Sequence, residues 1–329
     1  MKVLVTGANG FLGSWLTRKL LEDGYEVVVL LRKSSDLSLI KDLKVEKCIG
    51  DITDLTSIKN ALSNSNIEIV FHLAGYVGYS HQELQLMEKV NVQGTINVVN
   101  AILEINPAIK LLHLSSVVTI GASFTEQTIL NETSIYNMHK YNFGYFETKK
   151  SAEDYILKAV KERALQAIIV NPSTIYGAGD AQKGSRSTQL KVTKGKMLFY
   201  PNGGVSVVAV EDVVNAIVTA TRKGRIGERY ILSGENLYLR EVFQMIADVA
   251  KSLPPKYLMP SFCLELIACL DDFLSLFNLK GPIPAERARV AKLFHWFDNS
   301  KAKKELDFNP MPARIAIERS VQWALQNRS

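Results

Sequence analysis

The 329-residue sequence predicts an α/β fold, a doubly wound parallel sheet followed by a smaller, mainly helical C-terminal region. Three observations carry that expectation. Short β-branched runs alternate with periodic apolar segments through the first half. A glycine-rich turn separates the first such pair, and all but Pro107 and Pro172 of the 10 prolines lie beyond residue 200. Runs of near-continuous Val, Ile and Leu belong to strands covered on both faces, as a parallel sheet between helices requires.

Taken in order, Lys2–Thr6 reads as the first strand and Leu12–Glu22 as the helix that follows. Glu26–Leu31 and Val45–Ile49 read as the second and third strands, Ile58–Leu62 as a short helix, and Ile67–Leu73 as the fourth strand. Glu83–Ile105 has the spacing of one long helix, and Lys110–Ser115 is the fifth strand. A helix over about Gly144–Arg163 and a strand Gln166–Asn171 continue the alternation. With no repeat or flexible linker, the chain divides into a nucleotide-binding unit over 1–175, to which about 205–232 return. A smaller substrate-binding region is expected from 176–204 and 233–329.

Composition removes several classes. With 47% hydrophobic and 22% charged residues, the chain can bury a large core and is not disordered. Its 3 cysteines (Cys48, Cys263, Cys269) lack disulfide or zinc spacing, so a cytoplasmic chain is expected. His81, His139 and His295 are too dispersed for metal ligands, and no metal is expected. The formal charge of +6 is spread over pairs such as Arg32-Lys33, Lys149-Lys150 and Lys303-Lys304, which points to solvated charge and no nucleic-acid partner. The apolar stretch Ser261–Leu279 holds Glu265, Asp271 and Asp272, so it reads as an amphipathic helix pair and not as a transmembrane segment.

Chemistry enters at Thr6-Gly7-Ala8-Asn9-Gly10-Phe11-Leu12-Gly13, between the first strand and its helix. Glycines there permit a tight turn and close approach of a pyrophosphate, and the helix N-terminus offers amide donors. This is the Rossmann arrangement, with Gly7, Asn9, Gly10, Phe11, Leu12 and Gly13 as cofactor-binding candidates. The second strand ends in Arg32-Lys33, with no carboxylate before Asp36. A guanidinium can pair bidentately with a 2′-phosphate, so NADP(H) is expected, with NAD(H) as the alternative.

Further motifs follow in order: Gly50-Asp51, His72-Leu73-Ala74-Gly75, Asn91-Val92-x-Gly94-Thr95, Ser115-Ser116, Tyr145-x-x-x-Lys149, and Asn171-Pro172-Ser173-Thr174-Ile175-Tyr176-Gly177. Together with the glycine turn they make the chain resemble, over essentially its whole length, the extended short-chain dehydrogenase/reductase family. The resemblance is strongest to its dihydroflavonol-4-reductase-like and sugar-epimerase-like branch. It implies hydride transfer at the nicotinamide C4, a Ser/Thr-Tyr-Lys site and a homodimer. It assigns Ser116, Tyr145 and Lys149 to catalysis, the pattern counted back from Gly121 preferring Ser116 over Ser115. Asp51 would accept from the adenine amino group beside Ile52. Leu73, Ala74, Gly75 and Ser115 would line the dinucleotide, and Pro172, Ser173 and Ile175 would meet its carboxamide. Asn91 resembles a structural or proton-relay asparagine.

The residues also make chemical sense by themselves. Tyr145 and Lys149 are i,i+4 on one helix face, and an ammonium near a phenol favours the phenolate, which predicts a lowered Tyr145 pKa. Ser116 follows a strand at the sheet's carboxyl edge, where open α/β sheets bind ligands. His72, closing an apolar strand, reads as scaffold.

Two reactions fit these residues: reduction of a carbonyl with exchange of NADP(H), and epimerisation of a nucleotide sugar with retained NAD(P). Val117-Val118 after Ser116 disfavours a 4,6-dehydratase, which would carry an Asp-Glu pair there. Tyr76-Val77-Gly78-Tyr79 and an apolar run from Tyr257 through Phe262, Leu266, Phe273 and Phe277 suit a bulky hydrophobic substrate. Lys183, Arg186, Lys191, Lys194 and Lys196 would instead suit a diphosphate, with Arg186 the best single candidate; Tyr76 and Ser116 are the other substrate candidates. A non-catalytic NADP-sensing regulator is a third reading, disfavoured because it has no need of Ser116, Tyr145 and Lys149 together.

Overall fold

The computed structural model describes residues 1–329 except Asn64, 181–183, Asn278, Lys280, Pro282 and 328–329, and of His81 and 184–186 only the backbone. The chain runs β1 (Lys2–Thr6), α1 (Phe11–Glu22), β2 (Glu26–Leu31), β3 (Glu46–Ile49), α2 (Leu55–Ser63), β4 (Ile69–His72), α3 (Leu84–Met87), α4 (Gly94–Ile105), β5 (Lys110–Leu114), α5 (Gly144–Arg163) and β6 (Ala167–Pro172). It continues with β7 (Thr174–Tyr176), α6 (Gly184–Thr193), β8 (Phe199–Pro201), β9 (Gly204–Ala209), α7 (Val210–Lys223), β10 (Arg229–Leu232), β11 (Glu235–Tyr238), α8 (Leu239–Ala250), β12 (Tyr257–Met259), α9 (Ser261–Ser275), α10 (Ala285–Val290), β13 (Phe294–His295), α11 (Ser300–Leu306) and α12 (Ala313–Gln326).

Seven parallel strands form the main sheet in the order β10-β6-β5-β4-β1-β2-β3. Side chains alternate across a strand, so one run feeds two cores. Val3 and Val5 point to α1 and α7, joined by Leu16, Leu20, Val213 and Ile217. Leu4 points the other way, to α2, α4 and α5, with Ile58, Ile102 and Ile156. Both faces are thereby sealed, which is why these strands read as continuous hydrophobic runs. β7, β9, β11 and β13 form a second sheet and β8 with β12 a third, against which α6, α8 and α12 pack a smaller core around Val207, Phe243 and Ile317. The fold is therefore the expected doubly wound sheet with a mainly helical C-terminal region.

Two expected elements differ. The segment Glu83–Ile105 is not one regular helix: α3 gives way to a π-helical stretch at Glu88–Gln93 before α4. The wide turn sets Asn91 inward, 2% exposed, and no residue type announces such a turn in sequence. Ser261–Leu279 holds a single helix, α9, and its packing partner α10 lies beyond it. The three cysteines are unpaired. Among the described residues no helix is long and apolar enough to cross a membrane, and no cluster of His, Cys, Asp and Glu could hold a metal.

Candidate active site

β1 lies between β4 and β2, so the chain reverses its winding direction at the carboxyl end of β1, where open α/β sheets bind ligands. The glycine turn sits there. Gly7 has φ +73°, and a Cβ on it would lie 2.7 Å from the Ala74 amide nitrogen; a Cβ on Gly13 would lie 2.0 Å from the Gly7 carbonyl oxygen. Both positions therefore need glycine: one for the turn, one to seat α1 against it. Gly10 caps α1 with extended backbone and no side-chain bond, leaving first-turn amides for an anion. Phe11 and Leu12 are buried behind the turn, and the Asn9 amide donates to the Asp36 carbonyl (3.1 Å), tying it to the loop after β2. Arg32 and Lys33 are exposed at the end of β2.

The other cofactor candidates fall along the same edge. Thr6 Oγ1 accepts from the Ala74 amide (3.2 Å), which holds Leu73, Ala74 and Gly75 over the glycine turn. Asp51 accepts from the Thr53 amide (2.9 Å), while Asp54 accepts from Thr56 and caps α2, so Asp51 is not the cap of that helix. Ile52 is buried against Gly94. Pro172 ends β6, Ile175 is half-buried in β7, and the Ser173 hydroxyl between them is buried without a hydrogen-bond partner. A glycine cradle that a single Cβ would fill, an uncapped helix start and an orphaned hydroxyl on one edge fit a dinucleotide.

The structure brings Ser116, Tyr145 and Lys149 together. Ser116 leads from β5 into a short 3-10 turn and accepts from the Val118 amide (3.4 Å). Its hydroxyl lies beside that of Tyr145 and pulls the phenol's pKa down. Lys149, 6% exposed, donates to the Leu114 carbonyl (2.7 Å), the last residue of β5. Burial lowers its pKa to about 8, against the opposing pull of Glu153. Tyr145 departs from expectation. Burial, and then the neighbouring Tyr79, push its pKa up, with Ser116 pulling it down; desolvation of the phenolate outweighs the help of any cation.

Two supports for these three, Glu153 and Arg229, were not singled out in the sequence. Glu153, one turn after Lys149 and fully buried, accepts from Ser115, Thr119 (2.8 Å) and Asn171 (2.8 Å) and pairs with Arg229 (3.0 Å). Asn171 also donates to the Ser116 carbonyl (3.1 Å). Ser115 thus faces a carboxylate. Asn91 bonds both the amide and the carbonyl of Tyr76 (2.7 and 2.9 Å) and donates to Thr148 on α5 (3.2 Å), a structural tie between loop and helix. His72 bonds Thr6 and Thr95 through its two ring nitrogens, and burial holds its pKa down at about 3, so it is neutral scaffold.

A cavity of about 680 Å³ opens at the start of α5, lined by Tyr79, Gly144, Leu276 and Glu286 among others. Tyr76 donates its hydroxyl to Glu83 (2.7 Å), whereas Tyr79 lies close enough to Tyr145 to raise its pKa. Glu286, from α10, accepts from the Gly144 amide (3.1 Å), capping the helix that carries the site; its other oxygen is buried and unpartnered. Tyr79 and Glu286 meet across more than 200 residues of sequence, a proximity that only the fold creates. Of the basic segment, Lys183 lies outside the described residues, as does the side chain of Arg186, while Lys191, Lys194 and Lys196 are exposed.

Comparison with known proteins agrees with this geometry. The model of the NAD dependent epimerase/dehydratase family matches residues 3–233. The chain is 30% identical over 328 residues to sterol demethylase protein B of Methylococcus capsulatus, covering 98% of each. It is 26% identical to a putative dihydroflavonol 4-reductase of Synechocystis, covering 97% of this chain and 93% of that one. The solved structure of gox2253 superposes with a TM-score of 0.88 at 33% identity, over 99% of this chain and 98% of that one. UDP-glucose 4-epimerase of Thermotoga maritima, at 20% identity and a TM-score of 0.78 over 100% of both chains, shares the fold. With a family model covering most of its length and its glycine turn, Tyr145 and Lys149 on one sheet edge, the chain is an enzyme of the NAD dependent epimerase/dehydratase family, within the extended short-chain dehydrogenases/reductases.

Proposed function

We propose that the protein is an NADP(H)-dependent oxidoreductase that reduces a carbonyl, or oxidises the corresponding alcohol, on a bulky hydrophobic small molecule. The observation that carries this reading is Ser116 beside the Tyr145 hydroxyl, with Lys149 buried one helical turn on, at the edge that holds the glycine cradle. The bound dinucleotide supplies or takes up the hydride. Ser116 holds the substrate oxygen and Tyr145 delivers the proton to it, so the product is the alcohol. Lys149 orients the dinucleotide's ribose and places a positive charge beside Tyr145 once the site is filled.

Gly7, Asn9, Gly10, Phe11, Leu12 and Gly13 cradle the pyrophosphate in this proposal. Asp51 and Ile52 meet the adenine, Arg32 and Lys33 the 2′-phosphate, and Leu73, Ala74, Gly75, Pro172, Ser173 and Ile175 the remainder. Names among the relatives, a sterol demethylase protein and a dihydroflavonol reductase, support a multi-ring substrate. The same reading takes the enzyme as a cytoplasmic homodimer with α4 and α5 at its two-fold.

Denaturing protein purified without added nucleotide, weighing what is released, and titrating apo protein with NADPH and NADH tests the proposal. An empty protein that prefers NADPH is the expected result. Stoichiometric retained NAD would overturn it in favour of an epimerase that returns the hydride to one bound substrate.

A further inference from the structure

The outer face of α9 is apolar and bare. Phe262, Leu266, Leu270 and Phe273 are each 47% exposed or more and recur at helical spacing along one side, and exposed Phe277 follows just past the helix end. The opposite side holds buried Leu264 and Ala268, the latter against Ala285 and Ala288 of α10. The acids of this helix are all partnered away from that stripe: Glu265 pairs with Arg289 and Lys292, Asp272 with Arg289, and Asp271 accepts from the Gly281 and Ala285 amides. The outward stripe therefore carries no charge.

Immediately before α9 in the chain, the β8–β12 edge adds exposed Leu198, Phe199, Leu253, Tyr257 and Leu258, with the Phe199 and Tyr257 rings 5.9 Å apart. Exposed lysines surround this edge: Lys191, Lys194, Lys196, Lys251 and Lys256, the last over the Tyr257 ring at 5.6 Å. Between Asp180 and Glu211, and again between Asp248 and Glu265, the sequence has no Asp or Glu at all. The positive excess that looks scattered along the chain is thus gathered around the β8–β12 edge, whose last strand leads directly into α9.

A bare apolar stripe flanked by unopposed lysines and aromatic rings has the chemistry of the bilayer interface, where apolar side chains enter the acyl boundary and lysines meet anionic headgroups. We propose that α9 and the β8–β12 edge dock on an anionic lipid bilayer, and that the substrate is an amphiphile drawn from it. The second half rests on the function proposed above: Asp271, Ser275 and Leu276, at the end of α9, line a cavity that also borders Tyr79 and Gly144, the residue before Tyr145. A molecule leaving the lipid beneath α9 would enter that cavity at the start of the helix that carries Tyr145.

Co-sedimentation of the full chain with vesicles tests the docking, using phosphatidylcholine alone and with about a third phosphatidylglycerol. Partition onto the anionic vesicles is expected, weakening with salt. Partition should fall about ten-fold or more in Phe262→Glu/Leu266→Glu, and similarly in Lys196→Glu/Lys256→Glu; all four side chains are exposed, and circular dichroism checks that the fold is kept. Absence of partition, or partition unchanged in both variants, would overturn the proposal. So would a concentration-dependent association of the lipid-free protein that Phe262→Glu/Leu266→Glu abolishes, because a second copy would then cover the face. The readout is independent of turnover, so a failed docking leaves the oxidoreductase reading standing, and the converse.

Discussion

Glu286 shows how one side chain ties chemistry to stability. Burial outweighs the favourable amides of Gly144 and Tyr145 and raises its pKa from 4.5 to about 7. Folded protein therefore holds a proton that the unfolded chain has already released. Stability is highest below pH 4.5 as far as this group is concerned, falls as pH rises towards 7, and is constant above. In Glu286→Gln that decline should vanish, so melting temperatures of variant and parent should converge at low pH and separate by pH 7; parallel curves would reject the assignment. The glycine turn and the Tyr145/Lys149 spacing were legible in sequence because each is a local pattern. Glu286 and Tyr79 were not, since their proximity to Tyr145 is made by distant segments. The direction of the Tyr145 shift also escaped, because i,i+4 spacing reveals a neighbouring charge and not the depth of burial.

At the scale of elements, α5 and the end of β5 form one unit, clamped by Glu153. Its carboxylate takes three hydrogen bonds and the Arg229 guanidinium, so removing it strands a mostly buried cation and several donors around Ser116. Glu153→Ala should cost about 3 to 5 kcal/mol, with Glu153→Gln costing less because the amide oxygen still accepts. Chemical denaturation measures both, and a loss under about 1 kcal/mol for the alanine variant would contradict the clamp. Strands β1 to β6 were readable to within a residue or two because most are buried on both faces and read as apolar runs; edge strand β3 is exposed and was marked by its position in the alternation. The π-helical break before α4 had no such marker. The apolar density of Ser261–Leu279 suggested two amphipathic helices; the fold makes one helix and turns much of that density outward.

Across the whole molecule, two cores on either side of one sheet hold the glycine turn, Ser116 and the α5 helix on a single edge. The C-terminal region reaches that edge through α10 and Glu286, so the helix that presents Tyr145 is capped by a residue from the other end of the chain. Sequence order located the edge but could not fold the C-terminal half onto it, because its short strands and helices are placed by tertiary packing more than by periodicity. The central claim is that Tyr145 is the proton donor at a site whose dinucleotide binding is built elsewhere. It is tested most directly by measuring NADPH affinity and NADPH oxidation with a panel of hydrophobic aldehydes and ketones, side by side, for the parent and Tyr145→Phe. The account predicts nearly equal affinity with turnover lowered by about a thousand-fold or more. Unchanged turnover in the phenylalanine variant would contradict it.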